Sequence, residues 1–88
     1  MKQNPDFIMI DAKKDHVLVP VGKAAANFST IINLNEMGQI IWNMLETETT
    51  TEEVLKKILE EYDVSEERAR SDIDSFISNL RKYGCIED

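Results

Sequence analysis

The apolar positions change period once along this chain, near residue 35, and the change divides it into a strand-rich first part and a helical remainder. Phe7-Ile8-Met9-Ile10 is a short apolar run after Pro5, and His16 to Val21 (HVLVPV) is a second, rich in β-branched residues and ending at Gly22. The polar stretch Asp11 to Asp15 (DAKKD) lies between them. Two short apolar runs around a polar turn predict a β-hairpin. Pro20 has no N–H to give a ladder, so it belongs near a strand end, an edge or a bulge. Lys23 to Asn27 (KAAAN) is expected as a connecting loop. In Phe28 to Leu34, Phe28, Thr30, Ile32 and Leu34 alternate with Ser29, Ile31 and Asn33, the period of a half-buried strand. The third strand is assigned to Phe28–Asn33. Three strands with short connections suggest an antiparallel meander.

From residue 35 the spacing becomes three and four. Met37, Ile40, Ile41, Met44 and Leu45 form one face of a first helix, with Asn35 at the N-cap position. Gly38 lies inside that helix, where glycine costs about 1 kcal/mol against alanine. It stands four residues before Trp42, and room for the indole or a neighbouring backbone is the expected reason for it. Glu46 to Thr50 is a linker. Thr50 and Glu53 have capping-box spacing, and Val54, Leu55, Ile58, Leu59 and Tyr62 form the apolar face of a second helix. Ser65 is the N-cap of a third, with Glu66 and Glu67 in the first turn, where the macrodipole favours acids. Ala69, Ile73, Phe76, Ile77 and Leu80 make its core stripe, and Gly84 is its C-terminal cap. Cys85-Ile86 returns apolar surface to the core, and Glu87-Asp88 is expected to fray. The predicted fold is α+β and winged-helix-like: an N-terminal three-stranded antiparallel sheet followed by a three-helix bundle, in one domain over residues 1–88.

Charge narrows the function. The 88 residues carry a formal net charge of −7 and a sequence pI near 4.6, which opposes binding to nucleic-acid phosphates or to anionic membranes. There is no apolar run of membrane-span length and no signal-peptide core in MKQNPDF, so the expected address is cytoplasmic. The single Cys85 has no disulfide partner and no metal-ligand spacing, and is expected to be a small apolar residue. His16 lacks the partners of a general base. Asp72 and Asp74 flank an amphipathic stripe, usually a solvated boundary. The three glycines are isolated and form no phosphate-cradling loop. Ser29, Ser65, Ser71, Ser75 and Ser78 have no base beside them. No catalytic residue, metal set or cofactor is assigned, and the chain is expected not to be an enzyme.

Binding is what remains. A three-stranded sheet has two edges with unpaired N–H and C=O groups, which proteins usually blunt with charge or proline. Phe28 to Asn33 carries neither. Such a strand is paired in an oligomer, covered by a helix, or left open to an extended peptide that adds as a strand.

The runs HVLVPVG, NFSTIINLNEMGQIIWNML and TTEEVLKKILEEYDVSEERARSDIDSFISNLRKYGCIED resemble the PqqD-like proteins, the peptide chaperones also called RiPP recognition elements. The likeness runs from about Phe7 to Ile86. Its most specific part is the pattern Leu34, Asn35, Gly38, Ile41, Trp42 and Leu45; the pattern Asp72, Ile73, Phe76, Ile77 and Leu80 supports it. The resemblance implies binding of the leader of a ribosomally made precursor peptide, and its presentation to a modifying enzyme, often a radical-SAM enzyme. It implies no chemistry and no cofactor in the chaperone itself. It places the leader beside the third strand, here Phe28, Ser29, Thr30, Ile31, Ile32 and Asn33, in a groove closed by the third helix, here Ser65 to Tyr83. On a helical wheel Asp72, Phe76, Asn79 and Tyr83 form one edge of the apolar stripe, and Arg70, Asp74, Ile77 and Arg81 the other. Either can face the groove. The first is preferred, because it joins aromatic surface to polar groups able to set a peptide's register. A monomer or weak dimer is expected, with no nucleic acid and no membrane among the partners. The alternatives are a DNA-binding winged helix, disfavoured by the acidic charge, and a structural module that dimerises through its open edges.

Overall fold

The computed structural model describes residues 1–12, 15–27 and 31–87. In chain order the elements are β1 (Lys2–Gln3), β2 (Phe7–Ala12), β3 (Asp15–Pro20), α1 (Lys23–Asn27), β4 (Ile32–Leu34), α2 (Glu36–Met44), α3 (Thr51–Glu61), α4 (Glu66–Lys82) and β5 (Ile86–Glu87). The architecture is α+β: an antiparallel sheet of order β2-β3-β4, then helices. The sheet pairs Met9 with Leu18 and Leu18 with Ile32 across its middle. Because side chains alternate across a strand, this register puts Phe7, Met9, Leu18, Ile32 and Leu34 on one face, and all five pack with the core. The opposite face is apolar too. Ile8 and Ile10 are exposed there, and Val17 and Val19 lie opposite them on β3.

The hairpin is tighter than the sequence suggests. Ala12 pairs with Asp15, so Asp11, Ala12 and Asp15 belong to the ladder rather than to a five-residue turn; Lys13 and Lys14 lie outside the described residues. The register sets His16 opposite Asp11, whose carboxylate meets its Nε2 at 2.5 Å. No local spacing in the sequence exposes that pair.

Two further elements depart from expectation. Lys23–Asn27 is a short helix, not a loop. Its three alanines have high helix propensity, Ala24 is buried, and Gly22 adopts φ 60° just before it. Lys2–Gln3 and Ile86–Glu87 form a second, two-stranded sheet, so Glu87 is paired rather than frayed. The third strand is described as Ile32–Leu34. Of the predicted span, Phe28, Ser29 and Thr30 lie outside the described residues.

The helix boundaries follow the local chemistry. The Asn35 side chain accepts from Gly38 N at 2.7 Å, Thr50 Oγ1 from Glu53 N at 3.2 Å and Ser65 Oγ from Arg68 N at 3.2 Å. The Glu53 carboxylate accepts from Thr49 Oγ1 at 3.0 Å, in place of the backbone bond a full capping box would show. α4 ends in a Schellman motif: Cys85 N donates to Leu80 O at 2.8 Å and Gly84 N to Arg81 O at 3.1 Å, with Gly84 at φ 74°. Gln3 and Asn4 then hold the ends of two helices together. Gln3 donates to the carbonyls of Leu45 and Trp42, and Asn4 to those of Cys85 and Gly84. Beneath this clasp Trp42, Ile41, Leu45, Ile58, Ile73, Leu80 and Cys85 are almost fully buried. Tyr62, assigned to the apolar face of α3, is 36% exposed: it is the C-cap residue, where the chain has already left the helix.

Candidate functional site

β4 is an edge strand among the described residues, paired with β3 on one side only. Residues 31–34 carry no charge and no proline. Ile31 is 59% exposed and Asn33 is exposed, while Ile32 packs inward. The strand passes through Asn35 directly into α2, so the edge ends at the first turn of a helix.

The two edges of α4 meet different neighbours. Arg70 reaches α3, donating to Glu52 through Nη1 at 2.7 Å and Nη2 at 3.3 Å. Those hydrogen bonds, with the guanidinium charge, hold the Glu52 carboxyl below its ordinary value; the same bonds, with the Glu52 carboxylate charge, raise Arg70. The other edge turns toward α2. Asp72, Phe76 and Asn79 line a hollow of about 370 Å³ together with Asn35 and Gly38. At its floor, a Cβ built on Gly38 would lie 3.1 Å from Phe76 Cε1, 3.2 Å from Asn35 Oδ1 and 3.5 Å from Leu34 Cδ2. The glycine therefore makes room for an α4 aromatic and for the N-cap carboxamide, not for Trp42, which occupies the core behind.

Of the residues singled out in the sequence, Asp72, Phe76 and Asn79 come together here, and Ile31, Ile32 and Asn33 lie at the open edge. Tyr83 does not line the hollow. It packs against the core, with the Lys82 ammonium 5.6 Å from its ring centroid. Arg68 and Ser75 do line it and were missed; Arg68 is one helical turn before Asp72, a spacing that carries the signal. A second hollow, of about 650 Å³, opens beyond Asn35 between the start of α2 and the α3–α4 connection, and shares Asn35, Met37, Arg68 and Asp72 with the first.

Elsewhere the chemistry is sparse. Among the described residues no three of His, Cys, Asp and Glu gather as a metal site, and no helix is long and apolar enough to cross a membrane. Burial pushes the Cys85 thiol up to about 11.

A three-stranded antiparallel sheet whose edge strand β4 runs through Asn35 into a hollow between α2 and α4 defines a winged-helix-like domain. The chain belongs to the family described as Coenzyme PQQ synthesis protein D (PqqD), whose model matches residues 15–86. Two solved structures share its fold. TbiB1 in complex with the TbiA(beta) leader peptide is 24% identical, with a TM-score of 0.77 over 99% of this chain and 95% of that one. Lasso peptide synthetase B1 complexed with the leader peptide is 20% identical, with a TM-score of 0.75 over 99% of this chain and 96% of that one. No curated protein matches.

Proposed function

We propose that this chain is a non-catalytic peptide chaperone. It binds the leader of a ribosomally synthesised precursor by strand addition at β4, and presents the precursor to a modifying enzyme of the radical-SAM class. The observation that carries the reading is an uncharged, proline-free edge strand that runs through Asn35 straight into a hollow lined by Asp72, Phe76 and Asn79 of α4. An added strand gains affinity from main-chain hydrogen bonds and selectivity from alternate side chains, and Asp72 and Asn79 offer polar groups to fix its register. Membership of the PqqD family and the leader peptides held by two proteins of the same fold support it. The net charge of −7 argues against the DNA-binding alternative. Presentation also needs a surface that stays open once the edge is filled, and the apolar outer face of the sheet around Ile8 and Ile10 is such a surface.

The test is a nitrogen–proton NMR titration with the leader of a precursor encoded beside this gene. Shifts clustered on the amides of residues 28–33 and along the Asp72–Asn79 edge of α4 are expected. Shifts confined to α3, or none, would overturn the reading in favour of a module that dimerises through its edges.

A further inference from the structure

Every strand pairing described in this fold is antiparallel, and antiparallel pairing is slightly the more stable arrangement per residue. β4 runs from Ile32 toward Asn35, so a peptide adding antiparallel to it runs the other way. Its N-terminal part then leaves the sheet at Asn35 and meets the second hollow, which is continuous with the first through Asn35, Met37, Arg68 and Asp72. The strand-addition reading uses only the first.

The second hollow has its own character. Its apolar surface comes from Met37 and Ile40 on α2 and from Tyr62 and Val64 at the α3–α4 connection. All four retain solvent exposure: Met37, Ile40 and Val64 are half-buried, and Tyr62 is exposed. A methionine in such a place accommodates varied shapes. Around this surface stand the carboxylates of Glu36, Asp63 and Asp72, against one cation, Arg68. The rim is acidic, as is the protein.

We propose that this hollow is a second recognition compartment for the same peptide, and that it takes the residues immediately upstream of the strand-forming ones: one large apolar side chain with a Lys or Arg close to it. The proposal rests on strand addition at β4 and adds the direction and chemistry of the segment beyond it. The apolar side chain covers Met37, Ile40, Tyr62 and Val64. The cation answers Asp63 and Asp72, which outnumber Arg68 on the side where the peptide leaves the sheet.

The experiment is display selection of a randomised fourteen-residue peptide library on the purified protein, repeated on Tyr62→Ser and Asp63→Lys. Both substituted residues are exposed, so the fold is kept; circular dichroism checks this. The expected result is a block of alternating residues preceded by an aromatic or aliphatic residue and a basic one. Tyr62→Ser should erase the upstream apolar preference and Asp63→Lys the basic one, each leaving the alternating block. Removing the upstream apolar residue from a selected peptide should weaken binding roughly tenfold, the scale of burying one large side chain. An alternating block with no upstream preference, or with a preference that neither variant changes, would overturn the second compartment and leave strand addition standing. Selection of no alternating block would overturn both.

Discussion

The Phe76 ring of α4 rests against Gly38 in the first turn of α2, its Cε1 3.1 Å from where a Cβ on that residue would stand. Two elements nearly forty residues apart in sequence meet there, at the point where the open strand becomes a helix. The glycine costs helix stability locally and permits a contact that shapes the groove.

Gly38→Ala therefore sets two effects of similar size against each other. Alanine favours the helix by about 1 kcal/mol, and its methyl crowds Phe76 and the Asn35 carboxamide. Phe76 is only partly buried and can yield by a few tenths of an ångström, so the net change should stay within about 1 kcal/mol. Gly38→Leu has no such escape and should cost about 1–3 kcal/mol. Urea denaturation of the two variants beside wild type measures the difference; equal losses would show that Phe76 does not set the limit.

Trp42 is 3% exposed and lies under the clasp that Gln3 makes with the end of α2. Trp42→Ala should cost about 3–5 kcal/mol, a large share of the stability of a domain this size. A loss below about 1 kcal/mol in guanidinium denaturation would contradict the burial.

On an edge strand, successive N–H groups alternate between the ladder and solvent. Ile31→Pro and Ile32→Pro should therefore give opposite results. One removes an outward N–H, weakening peptide binding while the fold survives; the other removes a ladder bond to β3 and destabilises the domain. Affinity for the leader peptide and the midpoint of thermal unfolding, measured on both variants, separate the two. Equal behaviour in both assays would argue against a regular edge at this position.

The Glu52–Arg70 pair makes stability depend on acid. The Glu52 carboxyl is held below its ordinary value of 4.5 by hydrogen bonds from Arg70. A lowered folded value means that the unfolded chain takes up the proton first. The contribution is thus full above the unfolded value and fades as pH falls through the folded one. Wild type should exceed Glu52→Gln in stability near neutrality, and the gap should close on acidification below 4.5. A gap independent of pH would assign the effect to packing.

Cys85 works in the opposite direction. Its thiol, ordinarily near 9.0, is pushed to about 11 by burial. Between those values the unfolded chain ionises and the folded one does not, so stability should fall as pH rises through that window. At pH 8 alkylation by iodoacetamide should proceed only through opening of the fold, and should accelerate with added urea. Rapid labelling of the native protein would place the thiol at the surface.

The helices α2, α3 and α4 were legible in the sequence because their determinants are local. Apolar spacing of three and four marks each buried face, and Asn35, Thr50, Ser65 and Gly84 mark ends through bonds that span three to five residues. The α+β order and the family likeness were legible for the same reason, since Leu34 to Leu45 is one continuous stretch of strand, cap and helix. Alanine-rich Lys23–Asn27 reads as a loop and folds as a helix, because five residues are too few to display a period.

Tertiary structure alone decided the rest, because each remaining feature joins residues far apart in the chain. The wheel of α4 offers two edges, and only the burial of Ala69, Ile73, Ile77 and Leu80 against the other elements decides that Arg70 meets Glu52 on α3 while Asp72, Phe76 and Asn79 border the hollow beside Asn35 and Gly38. The β1–β5 clasp, the Asp11–His16 pair and the reason for Gly38 depend likewise on register and on which helix lies behind which. Local spacing reports how a segment folds on itself; the groove is made where two segments meet, and that is fixed by packing.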